Sequence, residues 1–138
     1  MNRLEEEISK MDFQYFGTGQ CKVDAEVFLN QEDAVFLDVR SREEQETVSL
    51  PLGKLCKVIE IPTNEVPERI NEIPKDKIVG VFCSAGVRAI IIFTYLTGKG
   101  YKNVKIIPGG YPSLMEAIMP GKLYKKLNKL SQKSFMEN

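Results

Sequence analysis

The 138-residue sequence contains no histidine. That absence removes Ser-His-Asp and Cys-His catalysis and every histidine-ligated metal site, so any chemistry must run on Cys, Asp, Glu, Lys, Arg, Tyr or backbone dipoles. Cysteine is sparse. Cys21, Cys56 and Cys83, three residues at wide and irregular spacing, describe neither a disulfide framework nor a zinc knuckle. Long apolar runs are missing too: the longest, Ala89-Ile90-Ile91-Ile92-Phe93, is far too short to span a bilayer. Met1 to Lys10 is acidic and polar, without the apolar core of a secretory signal, so a cytoplasmic location is expected. Charge of one sign does not dominate, because 19 Lys and Arg balance 19 Asp and Glu. That balance argues against a chain built mainly for nucleic acid or another polyanion.

What is present describes a globular chain. Hydrophobic residues make up 43% and charged residues 28%, as in a soluble domain with a core of its own. Leu4, Ile8 and Met11 suit a short amphipathic helix. Phe13-Gln14-Tyr15-Phe16 reads as a brief strand closed by Gly17-Thr18-Gly19. Asp24 can cap a helix from Ala25 to about Asn30, with Val27 and Phe28 turned inward. Ala34 to Val39 is a continuous apolar run broken only by Asp38, as expected of a strand buried on both faces of a parallel sheet. Ser41 and Glu44 then stand at capping-box spacing.

Val58 to Ile61 is a short strand stopped by Pro62, and Thr63 to Ile73 reads as a charged helix. Ile78 to Phe82 is a second apolar strand, and it delivers Cys83 at its carboxyl end. Val87 to Leu96 is apolar almost all round, which fits a central buried helix, although its isoleucine triplet favours strand. Val104 to Ile107 is a third core strand, followed by Pro108-Gly109-Gly110 and a helix from about Pro112 to Ile118. Leu123, Leu127 and Leu130 recur at helical spacing with lysines on the other face, giving a surface helix, while Ser134 to Asn138 reads as frayed. Alternation of strand and helix implies an α/β layered domain with a mostly parallel sheet of about five strands. Residues 1–19 form a helix/strand extension, 20–120 the domain, and 121–138 a basic helix and tail.

The candidate site is Cys83-Ser84-Ala85-Gly86-Val87-Arg88. In open α/β sheets ligands bind beyond the carboxyl ends of the strands. Small residues between a strand end and a helix start let successive N–H groups converge into an anion-binding nest, reinforced by the helix dipole. Such a cradle favours the anionic form of a cysteine sulfur, or of a persulfide built on it. Arg88 adds a permanent cation and a planar fork of donors. A lone cysteine at a strand end is more often a small buried hydrophobe; the small-residue loop, the helix start and the arginine together shift the balance towards a nucleophile.

Three segments are similar to the rhodanese-like sulfurtransferases over roughly residues 20 to 118. Leu37-Asp38-Val39-Arg40-Ser41-Arg42-Glu43-Glu44 resembles the family's first signature. Cys83 to Arg88 resembles its active-site loop, with the nucleophile first, Gly fourth and Arg sixth. Pro108-Gly109-Gly110 resembles the turn after the last core strand. The resemblance implies a three-layer rhodanese-like fold and a persulfide carried on Cys83. The substrate would be bound by Ser84, Ala85, Gly86, Val87 and Arg88, with Asp38 and Arg40 as structural support through local bonds and an Arg40–Glu44 pair. It also implies a small sulfur donor, thiosulfate or a persulfide, and a thiol, cyanide or protein-cysteine acceptor. No cofactor, metal, nucleic acid or membrane is expected, and the sequence sets no oligomeric state.

The chain departs from the family pattern in several places. Ser49-Leu50-Pro51-Leu52-Gly53 stands where relatives commonly have His-Ile-Pro-Gly-Ala, Gln45 replaces an aromatic, and Leu114 a frequent tryptophan. Ser84 occupies a position that is often arginine in thiosulfate users, which favours a less charged or protein-bound donor. Two other readings remain open. One is a non-turnover sulfur carrier, redox sensor or regulatory binding module. The other is phosphatase or arsenate-reductase chemistry, which the short loop disfavours. Cys21 and Cys56 are expected in or near the core, with a resolving role for either requiring close approach to Cys83.

Overall fold

A computed structural model describes residues 1–137. Four parallel strands form the sheet: β1 (Ala34–Asp38), β2 (Lys57–Glu60), β3 (Ile78–Phe82) and β4 (Val104–Ile106), in the order β2-β1-β3-β4. β1 and β3 are central, and their apolar runs are nearly continuous because both faces are covered. One core forms on each face. Val35, Leu37, Val79, Val81 and Leu96 lie in one; Phe28, Phe36, Phe82, Ile107 and Leu114 lie in the other. Among the described residues seven α-helices surround the sheet: α1 (Arg3–Ser9), α2 (Phe13–Gly17), α3 (Ala25–Leu29), α4 (Arg42–Thr47), α5 (Val87–Gly98), α6 (Gly110–Ala117) and α7 (Pro120–Glu137).

The expected fifth strand is absent from the described residues. Phe13 to Phe16 is helical, because the Asp12 side chain accepts the Tyr15 N–H at 2.9 Å and caps α2. At that edge a single parallel bridge, Lys22 to Ile106, is all that pairs with β4. The charged helix expected over residues 63–73 is instead two separate 3-10 turns, Thr63–Glu65 and Ile70–Glu72. Pro67 between them has no N–H to continue an α-helical ladder.

Three burial expectations also change. Val27 is exposed while Phe28 is buried. α5 is buried through Ala89, Ile92, Phe93 and Leu96, but Val87, Ile90 and Ile91 face outward, so it is covered on one side only. On α7, Lys126 is buried with its Nζ 3.3 Å from Asn30 Oδ1, placing one lysine on the packed face. The helix continues to Glu137, and Asn138 lies outside the described residues. α1 lies over the carboxyl-terminal end of α5, where Leu4 meets the open side of Gly98. No helix among the described residues is long and apolar enough to cross a membrane.

Candidate active site

All four strands run in one direction, so their carboxyl ends gather the segments that follow them into one region. β3 ends at Phe82, and Cys83 begins the loop into α5. Gly86 is the N-cap of α5 with φ of 101°, a conformation that side chains disfavour. This turn folds the backbone around the cysteine. Cys83 Sγ accepts the Gly86 N–H at 3.0 Å and the Ala89 N–H at 3.3 Å. Among the described residues the N–H groups of Ala85, Val87 and Arg88 meet no protein acceptor. A sulfur that receives backbone donors at a helix start is in a setting that stabilises negative charge. Cys83 itself is only 1% exposed, while Ala85 and Val87 stand out in solvent.

Arg88 is held from the side. Its Nη1 and Nη2 donate to Glu44 Oε1 and Oε2 at 2.6 and 2.9 Å, a bidentate pair, and Nη2 also reaches Ser84 Oγ at 2.9 Å. Ser84 Oγ donates to Glu44 Oε2 at 2.9 Å. Glu44 therefore ties both ends of the loop to α4, while its Oε1 accepts the Ser41 N–H at 3.3 Å to complete the capping box and the Ser41 Oγ–H at 2.8 Å besides. The Arg88 hydrogen bonds, helped by Ser41 and Ser84 against the opposing effect of burial, hold the Glu44 carboxyl well below the usual carboxylate range. Glu44 in turn raises Arg88.

The expected Arg40–Glu44 side-chain pair does not form. Arg40 and Asp38 are buried, at 0% and 1% exposure. Arg40 Nε and Nη2 bond the Asp38 carboxylate at 2.9 and 2.8 Å. Nη1 turns to Val48 O at 2.8 Å, Tyr111 Oη at 2.9 Å and the Glu44 backbone carbonyl at 3.3 Å. Burial disfavours the guanidinium charge, yet the hydrogen bonds it donates to Asp38 and Tyr111 keep Arg40 above its ordinary value. The pair closes the turn between β1 and α4, the element that carries Glu44.

The glycine turn completes the support. Gly110 has φ of +57°, and a Cβ placed there would stand 2.1 Å from Ser84 O. The cysteine loop thus lies directly on Gly110. Glu44 and Tyr111 are the two site residues that sequence reasoning missed as such. At the sequence level capping and a pair with Arg40 accounted for Glu44 and hid its clamp on Arg88, and nothing local marks Tyr111. Cys21 and Cys56 are free and partly buried, one packed against each core. Burial pushes the Cys56 thiol up to about 11, which makes it a poor nucleophile at neutral pH.

The family model for the rhodanese-like domain matches residues 24–117. A curated sulfurtransferase of Allochromatium vinosum is 32% identical over 57% of this chain and 69% of its own length. A tRNA sulfurtransferase of Haemophilus ducreyi is 33% identical over 61% of this chain, which spans only 17% of that longer protein. Among solved structures, a rhodanese-related protein from Thermoplasma volcanium is 27% identical with a TM-score of 0.60, covering 72% of this chain and 94% of that one. Sulfur transfer is thus the activity named for these curated relatives. A matched segment covering well over half of the sequence, on a parallel sheet with the cysteine loop at its carboxyl edge, has one reading: the chain belongs to the rhodanese-like domain family.

Proposed function

We propose that this chain is a sulfurtransferase that carries a sulfane sulfur on Cys83. The observation that carries the reading is the placement of Cys83 Sγ under the Gly86 and Ala89 N–H groups at the start of α5. The Cys83 thiolate attacks the sulfane sulfur of a donor. A Cys83 S–S bond forms as the donor's own bond to that sulfur breaks, and the donor leaves with the electron pair, as sulfite from thiosulfate or as a thiol from a persulfide. The acceptor, a thiol, cyanide or a protein cysteine, then attacks the outer sulfur and returns the thiolate. The cycle is redox-neutral, and it needs no histidine, because the loop donors supply the activation that a general base would otherwise give.

In this reading the backbone from Ser84 to Arg88 cradles the persulfide anion. Arg88 acts chiefly by holding the loop through Glu44, and Asp38 and Arg40 support it from below. The test is intact-protein mass measurement after incubation with thiosulfate or, separately, with a persulfide donor. The parent protein is expected to gain one sulfur atom and Cys83→Ser none. A Cys83→Ser protein that transferred sulfur at the parental rate would refute the mechanism.

A further inference from the structure

The electrostatics around the loop bear on what delivers the sulfur, an inference that rests on the sulfurtransferase reading. The segments that follow the four strands, residues 39–53, 61–74, 83–98 and 107–119, contain no lysine. Each arginine there is engaged by a carboxylate: Arg40 by Asp38, Arg42 by Glu65, Arg69 by Glu65 and Glu72, and Arg88 by Glu44. Among the described residues Glu43, Glu46 and Glu68 on the same segments have no ion pair. The carboxyl end of the sheet therefore carries an excess of negative charge. A doubly charged thiosulfate approaching it meets no uncommitted cation.

The rim beside the loop is apolar. Val87, Ile90 and Ile91 are 67%, 53% and 53% exposed, and their spacing places them on one face of α5 immediately after the cysteine loop. α1 covers the far end of the same helix at Gly98 and leaves this end bare. The ridge is thus continuous with the mouth of the site.

We infer that the donor loading Cys83 is a cysteine persulfide on a protein partner whose docking surface is apolar at its centre and basic at its edge. The apolar centre covers the ridge, and the basic edge answers the carboxylates around the loop. In the transfer, the Cys83 thiolate attacks the outer sulfur of the partner's persulfide; the partner's S–S bond breaks, and its cysteine leaves as a thiol with the donor's proton.

Three donors test this by intact mass: a cysteine-persulfide peptide flanked by leucine and lysine, its counterpart with glutamate for lysine, and thiosulfate. The lysine peptide is expected to load Cys83 about tenfold faster than the glutamate peptide at low ionic strength, with the gap shrinking in high salt. The double variant I90S/I91S should slow peptide loading about fivefold or more while free cysteine persulfide loads at the parental rate and the melting midpoint holds. Equal rates for the two peptides, fastest loading by thiosulfate, or indifference to I90S/I91S would overturn the inference while loading by free cysteine persulfide upholds sulfur transfer. Failure of every donor to load folded, reduced protein would overturn the underlying reading and this inference with it.

Discussion

Gly110→Ala isolates the contact on which the cysteine loop is seated. A methyl group at this position would lie 2.1 Å from the Ser84 carbonyl oxygen and 2.9 Å from its carbon. Both are backbone atoms, so no side chain can swing aside to make room. The left-handed backbone at φ of +57° adds a conformational cost of roughly 1 kcal/mol for any residue with a Cβ. Relieving the overlap by shifting the loop costs roughly 1–3 kcal/mol more, as in other overpacked sites. The sum, about 2–4 kcal/mol, should lower the melting midpoint by roughly 5–15 °C in a domain of this size. Because the displaced atom belongs to Ser84, the rate of sulfur loading on Cys83 should fall as well. Gly121→Ala serves as the control: nothing lies within 4 Å of a Cβ there, and in α7 it should be neutral or stabilise by up to about 1 kcal/mol. Calorimetry and mass-resolved loading on the two variants decide the matter. A Gly110→Ala protein with parental melting and parental loading would refute the seating of the loop on this glycine.

Further outcomes follow from the paired charges. Glu44 has its proton affinity lowered by folding, chiefly through Arg88, so its contribution is complete above the ordinary value of 4.5 and is lost as pH falls below it. With a third of its side chain exposed, the screened contribution is about 1 kcal/mol. Glu44→Gln should therefore lose about that much at pH 7 and flatten the acid limb of a stability-against-pH curve measured by chemical denaturation; an unchanged acid limb would remove Glu44 as its source. Asp38→Ala leaves the unexposed Arg40 guanidinium without its counter-charge, and a loss of roughly 3–5 kcal/mol is expected in urea unfolding. A loss under about 1 kcal/mol would mean that Arg40 finds another partner or escapes to solvent.

Much of this architecture could be read from local signals. The runs Ala34 to Val39 and Ile78 to Phe82 announced buried parallel strands, and Ser41 with Glu44 announced the capping box that forms. Phe13 to Phe16 was misleading because aromatic content points to strand, whereas one cap from Asp12 decides for helix. α5 was misleading in another way. Its composition is apolar on every side, and composition cannot tell a face that packs on the sheet from one left open. The loop Cys83 to Arg88 was legible as a cradle, but its clamp was not: Arg88 and Glu44 are 44 positions apart, and no short-range rule joins them. Tyr111 escaped for the same reason, since its partner Arg40 is 71 positions away.

That last separation bears on how the chain comes to be made. Arg40 has no exposure, and the hydroxyl that takes one of its donors belongs to a residue synthesised 71 positions later. Gly110, on which the cysteine loop rests, is translated just before it. Until the segment between Cys83 and Tyr111 has been added and folded, the guanidinium has Asp38 and Val48 but lacks the Tyr111 hydroxyl, and the loop lacks its floor. Before α6 folds against it, the cysteine loop is unseated and its sulfur is more open to oxidants and stray disulfides. Docking of α6 completes the bonds to Arg40 and seats the cysteine loop in the same step, so maturation of the reactive group is timed by the end of the domain rather than by the cysteine's own arrival.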